Sequence, residues 1–149
     1  MRELMFRQIA KKTEEIREHR DLFRGVSSWV RYIREGLGMT LKQLSGRTGL
    51  STSTLNQLEK NEALDKVTFA SLKKAAQAMN CELVYALVPL ESLDKIREDQ
   101  ALKKAKALLG ESNLQMEYED QAVSKEQLIS QLQDLKSQLK SSKRLWDEE

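Results

Sequence analysis

The stretch of sequence that decides the fold is residues 39–62, MTLKQLSGRTGLSTSTLNQLEKNE. Thr40 and Gln43 stand three residues apart in a capping-box pattern, which predicts that a helix starts directly after Thr40. Gly49 supplies a residue that tolerates a left-handed turn. Ser51 is a good N-cap, and it predicts the start of a second helix. The stretch therefore predicts two short helices joined by a glycine turn.

The two predicted helices divide into an apolar and a polar side. The leucines of the stretch recur at positions that face inward, and the residues between them on the second helix are Ser, Thr, Asn and Gln. The inward positions are Leu44, Leu50, Leu55 and Leu58. Because a helix-turn-helix needs two short helices, the second of which presents small polar groups, the pattern predicts this motif.

Residues 28–80 resemble the Cro/cI-type (XRE) helix-turn-helix family. The positions that carry the resemblance are Met39-Thr40, Leu44, Ser45, Gly49-Leu50-Ser51, Thr54-Leu55, Leu58-Glu59-Lys60 and Glu62. The family usually has Ala where this chain has Ser45, and it often has Gln, a phosphate-contacting residue, where this chain has Leu41. The resemblance implies a helical bundle that binds duplex DNA.

Nearly the whole chain is similar to a narrower family, called mobile mystery protein A. The segments that carry this likeness are the basic N-terminal helix, SSWVRYIREGLGMTLKQL at 27–44, CELVYALVPLESL at 81–93 and RLWDEE at 144–149. Members are typically small bacterial proteins encoded beside a Fic-domain protein. The resemblance therefore implies an antitoxin-like or autoregulatory role.

The rest of the chain predicts further helices around the motif. Apolar residues at helical spacing predict an N-terminal amphipathic helix over 2–24 and helices over 28–38, 68–80, 91–109 and 124–146. Ser28 and Thr68 are the predicted N-caps of the helices over 28–38 and 68–80. The polar, acidic stretch GESNLQMEYEDQAV at 110–123 is interpreted as a linker. The predicted organisation is an N-terminal helix (1–27), a helix-turn-helix domain (28–80) and a C-terminal region for dimerisation or partner binding (81–149).

One β-strand is predicted, over residues 82–88. The run CELVYALVPL is rich in β-formers, and Pro89 closes it. A lone strand needs a partner, and the most economical one is its own copy in a second subunit. The residues predicted to pair are Leu83, Val84, Tyr85, Ala86 and Leu87. The fold class is thus mainly all-α, with one dimer-pairing strand.

Composition excludes several classes of protein. The chain has 149 residues with one Cys, one His, one Pro and six Gly. A single Cys cannot form an internal disulfide or a multi-cysteine zinc site. The sequence also offers no combination of nucleophile, base and orienting group that would make a catalytic site. We therefore expect no enzyme, no cofactor and no metal. No apolar run is long enough to span a membrane, and the N-terminus lacks a signal peptide's apolar core, so a cytoplasmic protein is expected.

Charge is distributed unevenly along the chain. Residues 28–80 carry 8 basic and 4 acidic side chains, whereas residues 81–149 carry 10 and 14. This distribution is typical of a chain whose basic module contacts a polyanion and whose acidic tail does not.

The DNA contacts are expected from the N-terminal residues of the second motif helix and from nearby amides and lysines: Thr40, Gln43, Ser51, Thr52, Ser53, Asn56, Gln57, Lys60 and Lys66. The motif's second helix holds no arginine, so the predicted base preference leans to A·T pairs.

The C-terminal helix carries a leucine seam that predicts contact with protein. Ser124 and Gln127 repeat the capping-box pattern, and the apolar positions that follow are Leu128, Leu132, Leu135, Leu139, Leu145 and Trp146. The seam packs either within the dimer or on a partner.

Two functions remain open from the sequence. The first is a homodimeric, sequence-specific DNA-binding repressor that acts on an inverted-repeat operator. The second is an antitoxin-type protein that binds an adjacently encoded Fic-domain protein and uses DNA binding for autoregulation.

Overall fold

The computed structural model describes residues 2–118 and 124–148, without the side chains of residues 2 and 111–118. The described part holds seven α-helices: α1 (Arg2–Glu18), α2 (Trp29–Gly36), α3 (Leu41–Thr48), α4 (Thr52–Ala63), α5 (Phe69–Ala78), α6 (Leu93–Tyr118) and α7 (Lys125–Ser141). A short 3-10 helix covers Arg20–Phe23. The chain divides into two compact units, one of His19–Leu87 and one of Met1–Glu18 with Val88–Glu149.

Helices α2 to α5 form the first unit around a small apolar core. Its buried residues are Val30, Leu44, Leu55, Leu58, Ala75 and Met79. Three of the four leucines predicted to face inward are in this core, and Leu50 packs against it half-buried. The mainly helical fold class and the inward leucine pattern are confirmed.

The predicted caps are present. The Thr40 hydroxyl accepts from the Gln43 amide while the Gln43 side chain accepts from the Thr40 amide, so the capping box is complete. Gly49 ends α3 in the left-handed region, at φ 74°. The predicted N-caps of the other helices also accept from backbone amides: Ser28, Ser51, Thr68 and Ser124. Each cap satisfies an amide that the first turn of a helix leaves open.

The second unit is built on α6 and α7, which pack side by side, and on α1. Leu128, Leu132, Leu135 and Leu139 of the seam are all half-buried on α7. Polar contacts join the pair along its length, since Lys136 Nζ lies 2.6 Å from Glu98 Oε1 and Lys140 Nζ lies 2.9 Å from Asp94 Oδ2.

Several predicted element bounds differ from the structure. The last helix ends at Ser141 and not at residue 146. The first helix ends at Glu18 and gives way to the 3-10 turn, so the predicted helix to residue 24 is too long. Helix α6 continues to Tyr118, so residues 110–118 are not a linker, and residues 119–123 lie outside the described part. A glycine such as Gly110 lowers the stability of a helix interior by only about 1 kcal/mol relative to Ala, and the Glu, Leu, Gln and Met residues around it favour helix.

The β-strand predicted over residues 82–88 is not found. Residues 81–89 adopt neither helix nor strand, and the backbone amides of residues 82–90 form no hydrogen bond with the described part of the chain. The predicted pairing residues Leu83, Val84, Tyr85, Ala86 and Leu87 therefore have no ladder within the chain. The physical reason is that a β-strand needs hydrogen bonds to a neighbouring strand. The β-propensity of a segment does not provide that neighbour.

None of the helices in the described residues is apolar and long enough to cross a bilayer. The same residues hold no group of three or more His, Cys, Asp or Glu side chains placed to bind a metal ion.

Candidate nucleic-acid interface

The turn between α3 and α4 is held by short-range hydrogen bonds. The Ser45 hydroxyl donates to the Leu50 carbonyl at 2.5 Å, and the Thr48 hydroxyl donates to the Leu44 carbonyl at 3.0 Å while accepting from the Leu50 amide at 3.2 Å. The Gly49 amide donates to the Ser45 carbonyl at 2.9 Å. A hydroxyl at position 45 thus has a structural use, which accounts for Ser where the resembling family usually has Ala.

Helix α4 is held in place by contacts on the side opposite its polar face. Leu55 is fully buried, Leu58 and Glu59 are also buried, and the Glu59 carboxylate accepts two hydrogen bonds from Arg34 of α2, at 2.6 and 3.1 Å. Because Glu59 is buried and paired with Arg34, it adds no negative charge to the exposed face of α4. The helix therefore presents its hydroxyls and amides on a rigid support.

All nine residues predicted to contact DNA are exposed on this unit. They are Thr40, Gln43, Ser51, Thr52, Ser53, Asn56, Gln57, Lys60 and Lys66. Thr52, Ser53 and Asn56 make no side-chain hydrogen bond within the described residues, so their polar groups face solvent. Ser51 is used as the cap of α4, accepting from the Thr54 amide at 3.0 Å.

Two of the amide side chains in this set, Gln43 and Gln57, are also partly engaged inside the chain. The Gln57 amide nitrogen donates to Asn61 Oδ1 at 2.8 Å, one turn along α4, and leaves its carbonyl oxygen open. Gln43 uses its carbonyl oxygen in the α3 capping box at 2.8 Å, and its amide nitrogen stays available as a donor. A phosphate oxygen is an acceptor, so Gln43 keeps the group that such a contact needs.

A concave surface of about 730 Å³ lies beside α4, between it and α5. The polar residues that line it include Ser53, Gln57 and Lys66 from the predicted set. Its lining contains no acidic residue, and it also includes Thr68, Ser71 and Lys74, which the sequence analysis did not single out. The lysines make no ion pair within the described part of the chain. The surface is thus basic and rich in donors, the chemistry that a phosphate backbone requires.

Sequence reasoning missed Thr68, Ser71 and Lys74 because they belong to a different helix from the motif. Thr68 was interpreted only as a cap, and it does cap α5, with its hydroxyl accepting from the Ser71 amide at 3.2 Å. Their position beside α4 depends on tertiary packing. The sequence feature that pointed to a wider DNA-contacting surface was the basic charge of the 28–80 module, which includes Lys73 and Lys74.

The tail residues predicted for partner binding lie in the other unit and differ in exposure. Leu145 is buried, at 2% exposed, whereas Trp146 beside it is 58% exposed. The Leu145 carbonyl accepts from Gln100 Nε2 at 3.3 Å, and Lys104 Nζ donates to the carbonyls of Arg144 and Asp147 at 2.8 and 3.0 Å. These contacts fix the end of the chain on α6, and they leave the Trp146 ring as its accessible apolar group.

Comparisons with known proteins bear on the first unit. No curated protein and no solved structure matches the chain. The family model described as "Helix-turn-helix" matches residues 30–85, which contain α3 to α5 and all of α2 except Trp29. The match covers the capped α3, the Gly49 turn and the capped α4.

Proposed function

We propose that the chain is a sequence-specific DNA-binding transcription regulator. The observation that carries the proposal is the exposed polar face of α4, which is capped by Ser51, held from behind by a buried core and placed within a helix-turn-helix match. In such domains the second helix lies in the major groove with its N-terminal residues at base edges. Thr52 and Ser53 take these positions here, and Gln57 follows one turn later.

The chemistry of this face favours A·T-rich sites. Gln bonds adenine through N6 and N7, and the methyl group of Thr packs on the methyl of thymine. Arg, which gives the commonest guanine contact, does not occur on α4. Phosphate contacts are assigned to Thr40, Gln43 and Asn56 and to Lys60, Lys66 and the N-terminal amides of α3 and α4.

The test is binding of the purified full chain to the DNA upstream of its own gene, with a shuffled sequence of equal composition as control. We expect a preference for the upstream DNA that persists as salt is raised, while binding to the shuffled DNA falls steeply. Equal affinity for both sequences at every salt concentration would refute sequence-specific binding.

We further propose a homodimeric repressor that acts on an inverted repeat. The support is segment 82–88, whose backbone amides form no hydrogen bond within the described residues and whose Val84, Tyr85 and Leu87 side chains are mostly exposed. Antiparallel pairing across a two-fold axis satisfies both copies. It is compatible with two α4 helices about 34 Å apart, which is one turn of B-DNA.

An antitoxin-type role is the second candidate. It rests on the resemblance to mobile mystery protein A and on the exposed Trp146, a residue type enriched among interface anchors. The test is co-expression with the adjacent gene's product: co-purification that Trp146→Ala abolishes favours this role, and separate elution of the two proteins counts against it.

A further inference from the structure

An open apolar groove lies on the first unit, away from the polar face of α4. Its volume is about 460 Å³, and we name it the aromatic groove after its rings, Phe23, Trp29, Phe69 and Tyr85. Phe23 and Trp29 meet edge to face with centroids 6.3 Å apart, and Phe69 stacks on Tyr85 at 4.7 Å. All four rings remain substantially exposed, from 39% for Trp29 to 69% for Tyr85. Apolar surface of this extent marks an interaction site.

The floor of the groove shows which kind of occupant fits. The carboxylate of Glu62 lies there, and it accepts from the Ser28 hydroxyl at 2.7 Å and from the amides of Trp29 and Val30 at 2.9 and 3.2 Å. These bonds cap the N-terminus of α2 and use both carboxylate oxygens. No basic residue lines the groove. Both Glu62 oxygens are already hydrogen-bonded, and the lining apart from Glu62 and Glu82 is apolar. An apolar side chain is therefore the occupant that suits the groove.

The chain itself carries such a side chain next to the groove. Residues 81–85 line one wall, and Leu87, two residues after Tyr85, is 90% exposed and does not line it. The backbone amides between them form no hydrogen bond with the part of the chain that the structure describes. In an antiparallel pair centred on Tyr85, Leu83 of one copy stands directly opposite Leu87 of the other, with both side chains on one face and Cβ atoms about 5 Å apart.

We propose that the aromatic groove of each copy receives Leu87 of a second copy. The proposal rests on the homodimer proposed above, and it fixes the register and the receiving surface. In this register Leu83, Tyr85 and Leu87 share the face of the pair that meets the second copy, and Ala86 lies on the opposite face. In the single chain Glu82, Leu83, Val84 and Tyr85 all line the groove. The contact is isologous, because each copy supplies one groove and one Leu87.

The area available is of the size that a stable dimer needs. A whole aromatic side chain offers roughly 150–250 Å², so the exposed parts of the four rings present on the order of 400 Å² per copy. Leu87 and the rest of the segment add to this area. A standard interface buries about 800 Å² per partner, so the rings alone supply about half of it.

The experiment compares two single substitutions in the same segment. Leu87→Asp places a charge in the groove, whereas Ala86→Asp adds the same charge on the opposite face. Both positions are exposed, so the fold of the single chain is not at risk, and circular dichroism checks it. We expect Leu87→Asp to raise the dimer dissociation constant by roughly tenfold or more, and Ala86→Asp to change it by less than about threefold, measured by sedimentation equilibrium.

Trp29 reports on the groove directly. The chain has two tryptophans, so Trp146→Phe leaves Trp29 as the single indole fluorophore. We expect its emission to shift to shorter wavelength as protein concentration rises through the dimer dissociation constant, and Leu87→Asp to abolish the shift. A monomer at ~100 µM, equal effects of the two aspartates, or dimerisation without a change in Trp29 emission would each overturn the proposal. Binding of the monomeric variant to a DNA half-site, measured separately, tests the proposed function independently of the groove.

Discussion

Arg34 of α2 and Glu59 of α4 form a buried ion pair with two parallel hydrogen bonds. Arg34 Nε lies 2.6 Å from Glu59 Oε1, and Nη2 lies 3.1 Å from Oε2. The remaining nitrogen, Nη1, donates to the Met39 carbonyl at 2.9 Å. The hydrogen bonds to Glu59 raise the pKa of Arg34 above its ordinary value. One guanidinium group thus joins α2, the turn before α3 and the back of α4.

We expect Arg34→Met to destabilise the domain by about 3–5 kcal/mol, because it leaves the Glu59 carboxylate buried without its partner. The measurement is urea unfolding followed by circular dichroism. Arg31→Met is the matched control on the same helix, since Arg31 pairs with Glu35 at 2.8 Å but both side chains are more than half exposed. That change should cost less than about 1 kcal/mol. Equal losses for the two variants would show that burial does not set the strength of the Arg34 pair.

The second prediction concerns the end of the chain, where two neighbouring residues differ in burial. Leu145→Ala removes a side chain that is 2% exposed and should cost about 2–5 kcal/mol. Trp146→Ala removes a larger but mostly exposed side chain and should cost less than about 1 kcal/mol. Hydrogen exchange measured by mass spectrometry localises the effect, because α7 should lose protection in the first variant only. Faster exchange in α7 for Trp146→Ala would contradict this assignment.

The sequence predicted those parts of the fold that depend on local chemistry. Thr40, Ser51 and Thr68 were predicted as caps and are caps, because a hydroxyl that accepts from an amide three residues on needs no distant partner. The turn at Gly49 is equally local. The match over residues 30–85 confirms the helix-turn-helix that these signals predicted.

The features that the sequence did not predict depend on contacts between residues far apart in the chain, or on a neighbouring strand that the described residues lack. A strand over 82–88 requires a second backbone, and the described residues of this chain provide none. The Arg34–Glu59 pair joins residues 25 positions apart, and the nearness of Lys74 to Gln57 depends on how α5 packs beside α4. Periodicity indicates which face of a helix is buried but not which helix covers it.

The third prediction is a pH dependence of the α6–α7 pair. The hydrogen bond from Lys136 Nζ, 2.6 Å from Glu98 Oε1, together with the positive charges of Lys136 and Lys140, lowers the pKa of Glu98. A carboxylate whose pKa is lower in the folded state stabilises the fold above its unfolded pKa, about 4.3. This contribution is lost as the pH falls from about 5 through the lowered pKa.

We therefore expect Glu98→Gln to lower the melting temperature at pH 7 and to have little effect near pH 2. Asp134→Asn on α7 is the control, because Asp134 is exposed and forms no ion pair within the described part of the chain. The measurement is thermal melting between pH 2 and pH 7. A Glu98→Gln difference that stays constant across this range would mean that the ion pair does not contribute.

The fourth prediction separates base reading from phosphate contact on the proposed DNA surface. Gln57→Ala should weaken binding to the specific site by about 1–3 kcal/mol and leave non-specific binding unchanged, because only the specific complex uses the amide to read a base. Lys60→Ala should instead weaken binding to every sequence and reduce the salt slope by about one. The measurement is fluorescence anisotropy with specific and shuffled duplexes at several salt concentrations.

Lys74 extends this prediction to the concave surface between α4 and α5. Because Lys74 lines the same surface as Gln57 and Lys66 and has no ion pair within the described residues, Lys74→Ala should reduce the salt slope much as Lys60→Ala does. Lys103→Ala is the matched control, an exposed lysine on α6 in the other unit, and it should leave the slope unchanged. If Lys74→Ala behaved like Lys103→Ala while Lys60→Ala lowered the slope, the DNA backbone would follow α4 without entering the concave surface, and Thr68 and Ser71 would lose their assignment with it.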